Sequence, residues 1–209
     1  MTVRAEWLVV GGPPEPWQRL GLTVVDGTIP LFGTGIRIDP DAGPGLAGWA
    51  LSGIDDLKAT DDSDSTIDGL RTERIAPAAP VLVDHPNGAI GLDHVVVTTN
   101  ELERTCTAIE SATGSPLRRV REVGEIRQGF HRLGGGGLIV EVVERRGLPV
   151  APAWFWGLVI NVEDLDAAAE RIGPDGIGAV APAVQPGRKI ATVRTELGLG
   201  VPVALMTPG

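Results

Sequence analysis

The feature that most constrains this chain is a repeat. GLDHVVVTTNEL, residues 91–102, is nearly restated as WGLVINVEDL at 156–165. Each run is apolar and rich in β-branched residues, then reaches an acidic residue followed by leucine, Leu102 or Leu165. Eight residues upstream of those leucines stand His94 and Gly157, and WALSGI gives a third alignment with Trp49 eight residues before Leu57. Repeated units of this size fold as copies of one supersecondary motif that bury their apolar faces on each other. The β-branched runs predict strands. Helical patterns follow two of them. DLDAAAERIG has Asp164 near its start, an Ala-rich interior and a Gly-Pro stop at 173–174; ELERTCTAIESATG has Asn100 as N-cap and Gly114 after its end.

A second repeat closes each unit. GGLIVEVVE (136–144) matches LGVPVALMT (199–207): four residues after Gly137 comes Glu141, and four after Gly200 comes Ala204. TGIRID is a weaker third copy, with Asp39 four residues after Gly35. Between helix and last strand lie PLRRVRE and EIRQGFHRLG in one unit, GAVAPAV and RKIATVRTELG in the other. Residues 91–149 and 150–209 therefore each read as strand, helix, strand, strand, strand, an α+β pattern. Residues 1–87 form an additional degenerate β-rich module and linker. Its strands are expected in EWLVVGG, LTVVDG, IPLFG, GIRI and GWALSGI, with 55–90 as a connecting segment holding short ordered pieces.

Composition then narrows the function. The net charge of −9 opposes binding to nucleic acid, which needs a basic stripe, and docking on anionic membranes. Cys106 is the single cysteine, which excludes an internal disulfide and a cysteine-based zinc site. MTVRAEWLVVGGPPEP breaks into Gly and Pro after a very short apolar run, so it reads as neither a signal peptide nor a membrane span; the expected location is the cytoplasm.

NGAIGLDHVVVTTNEL, RQGFHRLGGGGLIVEVVE, FWGLVINVEDLDAAAERIG and QPGRKIATVRTELGLGVPVALMTP together resemble the vicinal oxygen chelate superfamily, in particular its glyoxalase-like and bleomycin-resistance-like bacterial members. The resemblance covers roughly residues 88–209. It implies an α+β fold of two βαβββ modules, 88–149 and 150–209, forming a curved mixed sheet around a pocket, in which the first and fourth strands of each module supply ligands to a metal. By position these are His94 and Glu141 in one module, Gly157 and Ala204 in the other. Two of the four can ligate.

An imidazole and a carboxylate suit Zn, Fe, Mn or Ni, but a catalytic zinc wants three protein ligands. His131, His85, Asp39 or a partner subunit, as in a homodimer, are the sources of a third. Without a metal, His94 and Glu141 form an acid–base dyad. A carboxylate inside LIVEVV faces a pocket or an edge, because burial without a partner is costly. Alternation in IRQGFHRL puts Gln128, Phe130 and Arg132 on one face, Arg127 and His131 on the other. Arg194 shares a side with Ile190 and Thr192 and suits an anionic ligand or a solvated outer face. Trp156, in AWFWG, either stacks a planar ligand or packs between modules. The GGGG run at 134–137 is followed by a strand, so it is a hairpin loop. DSDSTIDG, with Asp64 first, would close on Ile75 and so is not a calcium loop. Cys106 is a packing residue.

Three functions fit. One is a protein that holds a small molecule in its pocket without catalysis. Another is a metal-dependent lyase, isomerase or dioxygenase-like enzyme using His94 and Glu141. The third is a structural or interaction protein.

Overall fold

The computed structural model describes residues 2–54, 65–135 and 137–209. Leu57 and Asp64, an anchor of the repeat and the start of the calcium-like run, lie outside them. Among the described residues no helix is long and apolar enough to cross a membrane.

The repeat becomes one eight-stranded sheet. The first module contributes β7 (Ala89–Thr99), α2 (Leu102–Thr113), β8 (Arg119–Val123), β9 (Ile126–Arg132) and β10 (Ile139–Arg145). The second contributes β11 (Trp154–Val162), α3 (Leu165–Ile172), β12 (Ala181–Pro182), β13 (Lys189–Thr192) and β14 (Val203–Met206). Strand order is β12-β13-β14-β11-β7-β10-β9-β8. In each module the first strand pairs in parallel with the fourth, β7 with β10 and β11 with β14. The two first strands meet antiparallel at the centre.

The amino-terminal region repeats the same rule in a second, six-stranded sheet. Its elements are β1 (Arg4–Gly11), α1 (Glu15–Arg19), β2 (Thr28–Ile29), β3 (Gly35–Asp39), β4 (Gly45–Ser52), β5 (Ser65–Ile67) and β6 (Leu70–Arg74). Their order is β2-β3-β1-β4-β6-β5. β1 pairs in parallel with β3, β4 in parallel with β6, and β1 meets β4 antiparallel. TGIRID is thus a fourth-strand equivalent, and Trp49 lies on a first-strand equivalent. LTVVDG forms only an isolated bridge at Val25. β5 and β6 fall inside the segment expected to be a connection. They are joined by Asp68 and Gly69, both with positive φ (49° and 89°), the geometry of an Asp-Gly hairpin turn.

The helices dock where the sequence leaves room. α2 buries Leu102, Thr105, Cys106, Ile109 and Thr113, the spacing of one helical face. It lies over Val95, Val97, Val140 and Val142, all fully buried. A Cβ on Gly129 would stand 2.8 Å from Cys106 Sγ, so β9 carries glycine where the helix approaches. Burial raises the Cys106 thiol to about 12, consistent with a packing role. Asp164 caps α3 by accepting from Ala167 N at 3.0 Å, and Gly114 ends α2 in the left-handed region. Asn100 does not cap α2. The N-cap is Glu101, without a side-chain cap bond, because Asn100 Oδ1 is taken by Arg104. The sheets are locked together by Trp49 of β4 packed edge-on to Phe155 of β11, centroids 5.3 Å apart.

Candidate functional site

The site stands on the face of the eight-stranded sheet turned away from α2. Strand alternation and register place His94, Val96 and Thr98 of β7 on that face, with Glu141 and Val143 of β10 beside them and Gln128 and Phe130 of β9 beyond. His94 and Glu141 come together, Nε2 to Oε2 at 3.4 Å, with side chains only 13% and 14% exposed. Gln128 Nε2 donates to Glu141 Oε1 at 2.6 Å. The alternation of β9 is thereby resolved. Gln128 and Phe130 share the face of Glu141. Arg127 pairs with Glu103 and Glu144, and His131 is buried against Ser115 O, on the other side.

Asp93 completes the cluster, and sequence reasoning missed it. Neighbours in a strand point to opposite faces, but β7 pairs His94 with Val159 and Leu92 with Ile160. Asp93 is therefore the extra residue of a β-bulge, the irregularity that re-aims side chains at functional sites. The bulge lets His94 Nδ1 donate to Asp93 Oδ2 at 2.8 Å. The other carboxylate oxygen accepts from Arg188 at 2.7 Å, and Arg188 also donates to Asn161 Oδ1 and Thr207 O. The result is a continuous line, Arg188–Asp93–His94–Glu141–Gln128, crossing from one module into the other.

The two carboxylates are driven apart. Burial works against ionised Asp93, but hydrogen bonds from His94 and Arg188 outweigh it and hold the carboxyl at about 2. Burial dominates at Glu141 and raises it above the usual carboxylate range, with His94 and Gln128 offsetting only part. Hydrogen bonding wins at Asp93 and burial wins at Glu141, so the two carboxyl groups shift in opposite directions.

The second module has no counterpart to this cluster. Glu141 is paired with Val96, two residues beyond His94; Ala204 is paired with Val159, two residues beyond Gly157. The positional equivalence expected from the repeats is therefore the observed register. Gly157 is more than a missing ligand. A Cβ there would meet Pro202 O at 2.6 Å, and Leu158 N donates to that same carbonyl, so backbone fills the space.

The other expected donors lie elsewhere. His85 is held between Thr23 N and Pro30 O. Asp39 accepts from Asp41 N in the six-stranded sheet. Arg194 lies past the end of β13, exposed, donating to Pro174 O. Trp156 is exposed, with Arg145 5.9 Å from its ring centroid. Among the described residues no three His, Cys, Asp or Glu side chains are grouped to hold a metal ion. The side chains at this cluster thus fit half a metal site and do not fit a complete one.

No family model matches the sequence, and no curated protein matches it. Solved structures do. A triple mutant of 4-hydroxymandelate synthase from Streptomyces coelicolor is similar over 100% of this chain and 93% of its own, with a TM-score of 0.69 at 15% identity. Methylmalonyl-CoA epimerase from Mycobacterium tuberculosis is similar over 61% of this chain and 93% of its own, with a TM-score of 0.50 at 17% identity. The chain shares the fold of these structures, the paired βαβββ arrangement that the resemblance implied.

Proposed function

We propose that this protein binds a small molecule on the helix-free face of the eight-stranded sheet, and that His94 and Glu141 exchange a proton with it without a resident metal. The observation that carries this reading is the 3.4 Å approach of His94 Nε2 to Glu141 Oε2, backed by Asp93 on the far nitrogen. Asp93, held ionised, fixes the His94 ring with Nδ1–H toward itself and leaves Nε2 as the working atom. Glu141, with its raised proton affinity, stores or releases the proton beside it. Gln128 anchors the carboxylate.

The test is a ligand screen by thermal shift on wild type, Glu141→Gln and His94→Ala. The reading predicts compounds that stabilise wild type and lose that effect in both variants. Hits that stabilise all three proteins equally would place binding elsewhere and overturn it. An inert wild type across a screen of several hundred polar aromatic and carbonyl compounds would overturn it too.

A further inference from the structure

A cavity lies in the cleft between the two sheets, lined by neither His94 nor Glu141. Its volume is about 710 Å³, inside the range of roughly 300–1,000 Å³ typical of small-molecule sites. Five stretches of chain wall it: the start of β1, the loop at 30–35, residues 78–82, the start of β7, and the β9–β10 hairpin. A concave cleft of this size suits a small molecule better than a flat macromolecular surface does.

Two properties of the lining stand out. The first is apolar surface left in water. Phe32 is 83% exposed and Leu82 85%, with Val81 and Ile90 also exposed, and all four line this one cleft. Large apolar side chains gathered this way on a protein surface mark a binding site. The second is uncommitted positive charge in a protein of net charge −9. The cleft's two buried carboxylates are already engaged: Glu6 accepts from Ser52, and Asp93 accepts from Arg188 and His94. Its arginines are less so. The Arg132 guanidinium makes no hydrogen bond or ion pair with a described residue, and Arg4 pairs with Glu6 only at 4.0 Å. The Arg4 stem lies against Gly134, in the hairpin that Arg132 opens, so the two guanidinium groups flank the same rim.

We infer that this cleft binds an amphipathic anion, an apolar body carrying a carboxylate. Arg132 and Arg4 receive the head group, as guanidinium groups suit carboxylates, and Phe32, Val81 and Leu82 cover the apolar body. The site does not include His94 or Glu141, but it shares Asp93 and Asn161 with the network that supports them.

Isothermal titration with dodecanoate, below its micelle concentration, tests this. Wild type should take up one equivalent saturably. Arg132→Gln, at an exposed position, should weaken binding about tenfold or more, the loss expected for a charge-assisted hydrogen bond. Leu82→Ser should weaken it several-fold, and dodecanol should bind much less tightly than dodecanoate. His94→Ala should bind as wild type does. Absence of saturable binding, equal binding of dodecanol, or indifference to both Arg132→Gln and Leu82→Ser would overturn the inference. Loss of binding in His94→Ala would overturn it as well, by placing the probe at the other site.

Discussion

The two modules of the eight-stranded sheet share a topology and differ in chemistry at two equivalent positions. In the first, His94 and Glu141 face each other across parallel strands. In the second, Gly157 and Ala204 occupy the equivalent places, and Pro202 backbone fills what a side chain would need. Symmetry of fold does not impose symmetry of function. One half carries the ionisable groups, and the other supplies packing plus a single external prop, Arg188, which reaches across to Asp93.

That prop is where the comparison breaks most visibly. Asp93→Ala leaves the Arg188 guanidinium, 13% exposed, without its carboxylate. We expect a loss of roughly 3–5 kcal/mol, as for one partner removed from a buried pair, measured by denaturant unfolding. A loss under about 1 kcal/mol, the range of exposed ion pairs, would show that the modules are not joined there.

The same carboxylate predicts a pH dependence. Asp93 is lowered from its ordinary 3.8 to about 2 in the fold. Its contribution is therefore complete above pH 4 and disappears as pH falls toward 2, roughly 2 kcal/mol in all. Glu141 has the opposite sign. Its raised affinity favours the protonated folded form, so its contribution declines as pH rises above the ordinary carboxylate range. Unfolding of wild type and Asp93→Asn from pH 2 to 7 checks both. The Asn variant should lose the Asp93 part of the acid limb, and Glu141→Gln should flatten the decline at higher pH.

Gly157→His tests whether the second half can be restored. The new Cβ meets backbone, so the variant should be destabilised by roughly 1–3 kcal/mol, as in other overpacked sites, with no gain in metal affinity. Unchanged stability would mean that the strand yields and the half-site is open. The smallest contrast is between the helix starts. Asp164→Ala removes a cap bond and should cost about 1 kcal/mol. Glu101→Ala, at a cap without one, should change stability by less than about 0.5 kcal/mol.

Much of this was legible because repeats and strand alternation are periodic. The spacing from Gly137 to Glu141 and from Gly200 to Ala204 gave the fourth strands, and the alternation in IRQGFHRL put Gln128 and Phe130 on one face. What was not legible breaks a period. The bulge at Asp93 places two sequence neighbours on one side, and nothing in LDHVV announces it. Arg188 acts from a loop. Arg194 continues the alternation of KIATVRTEL, but β13 stops at Thr192, and Arg194 N donates to Gly176 O as the chain turns away. β5 and β6 did carry a signal: the Asp-Gly pair in STIDGLRTER is a strong hairpin cue, obscured by the acidic run before it.

The central claim is that the His94–Glu141 pair works without a resident metal because the opposite half-site is closed. Elemental analysis of protein purified without chelator, for wild type and His94→Ala, addresses it most directly. The account predicts no stoichiometric Zn, Fe, Mn or Ni in either protein. Stoichiometric metal in wild type that is lost in His94→Ala would contradict it.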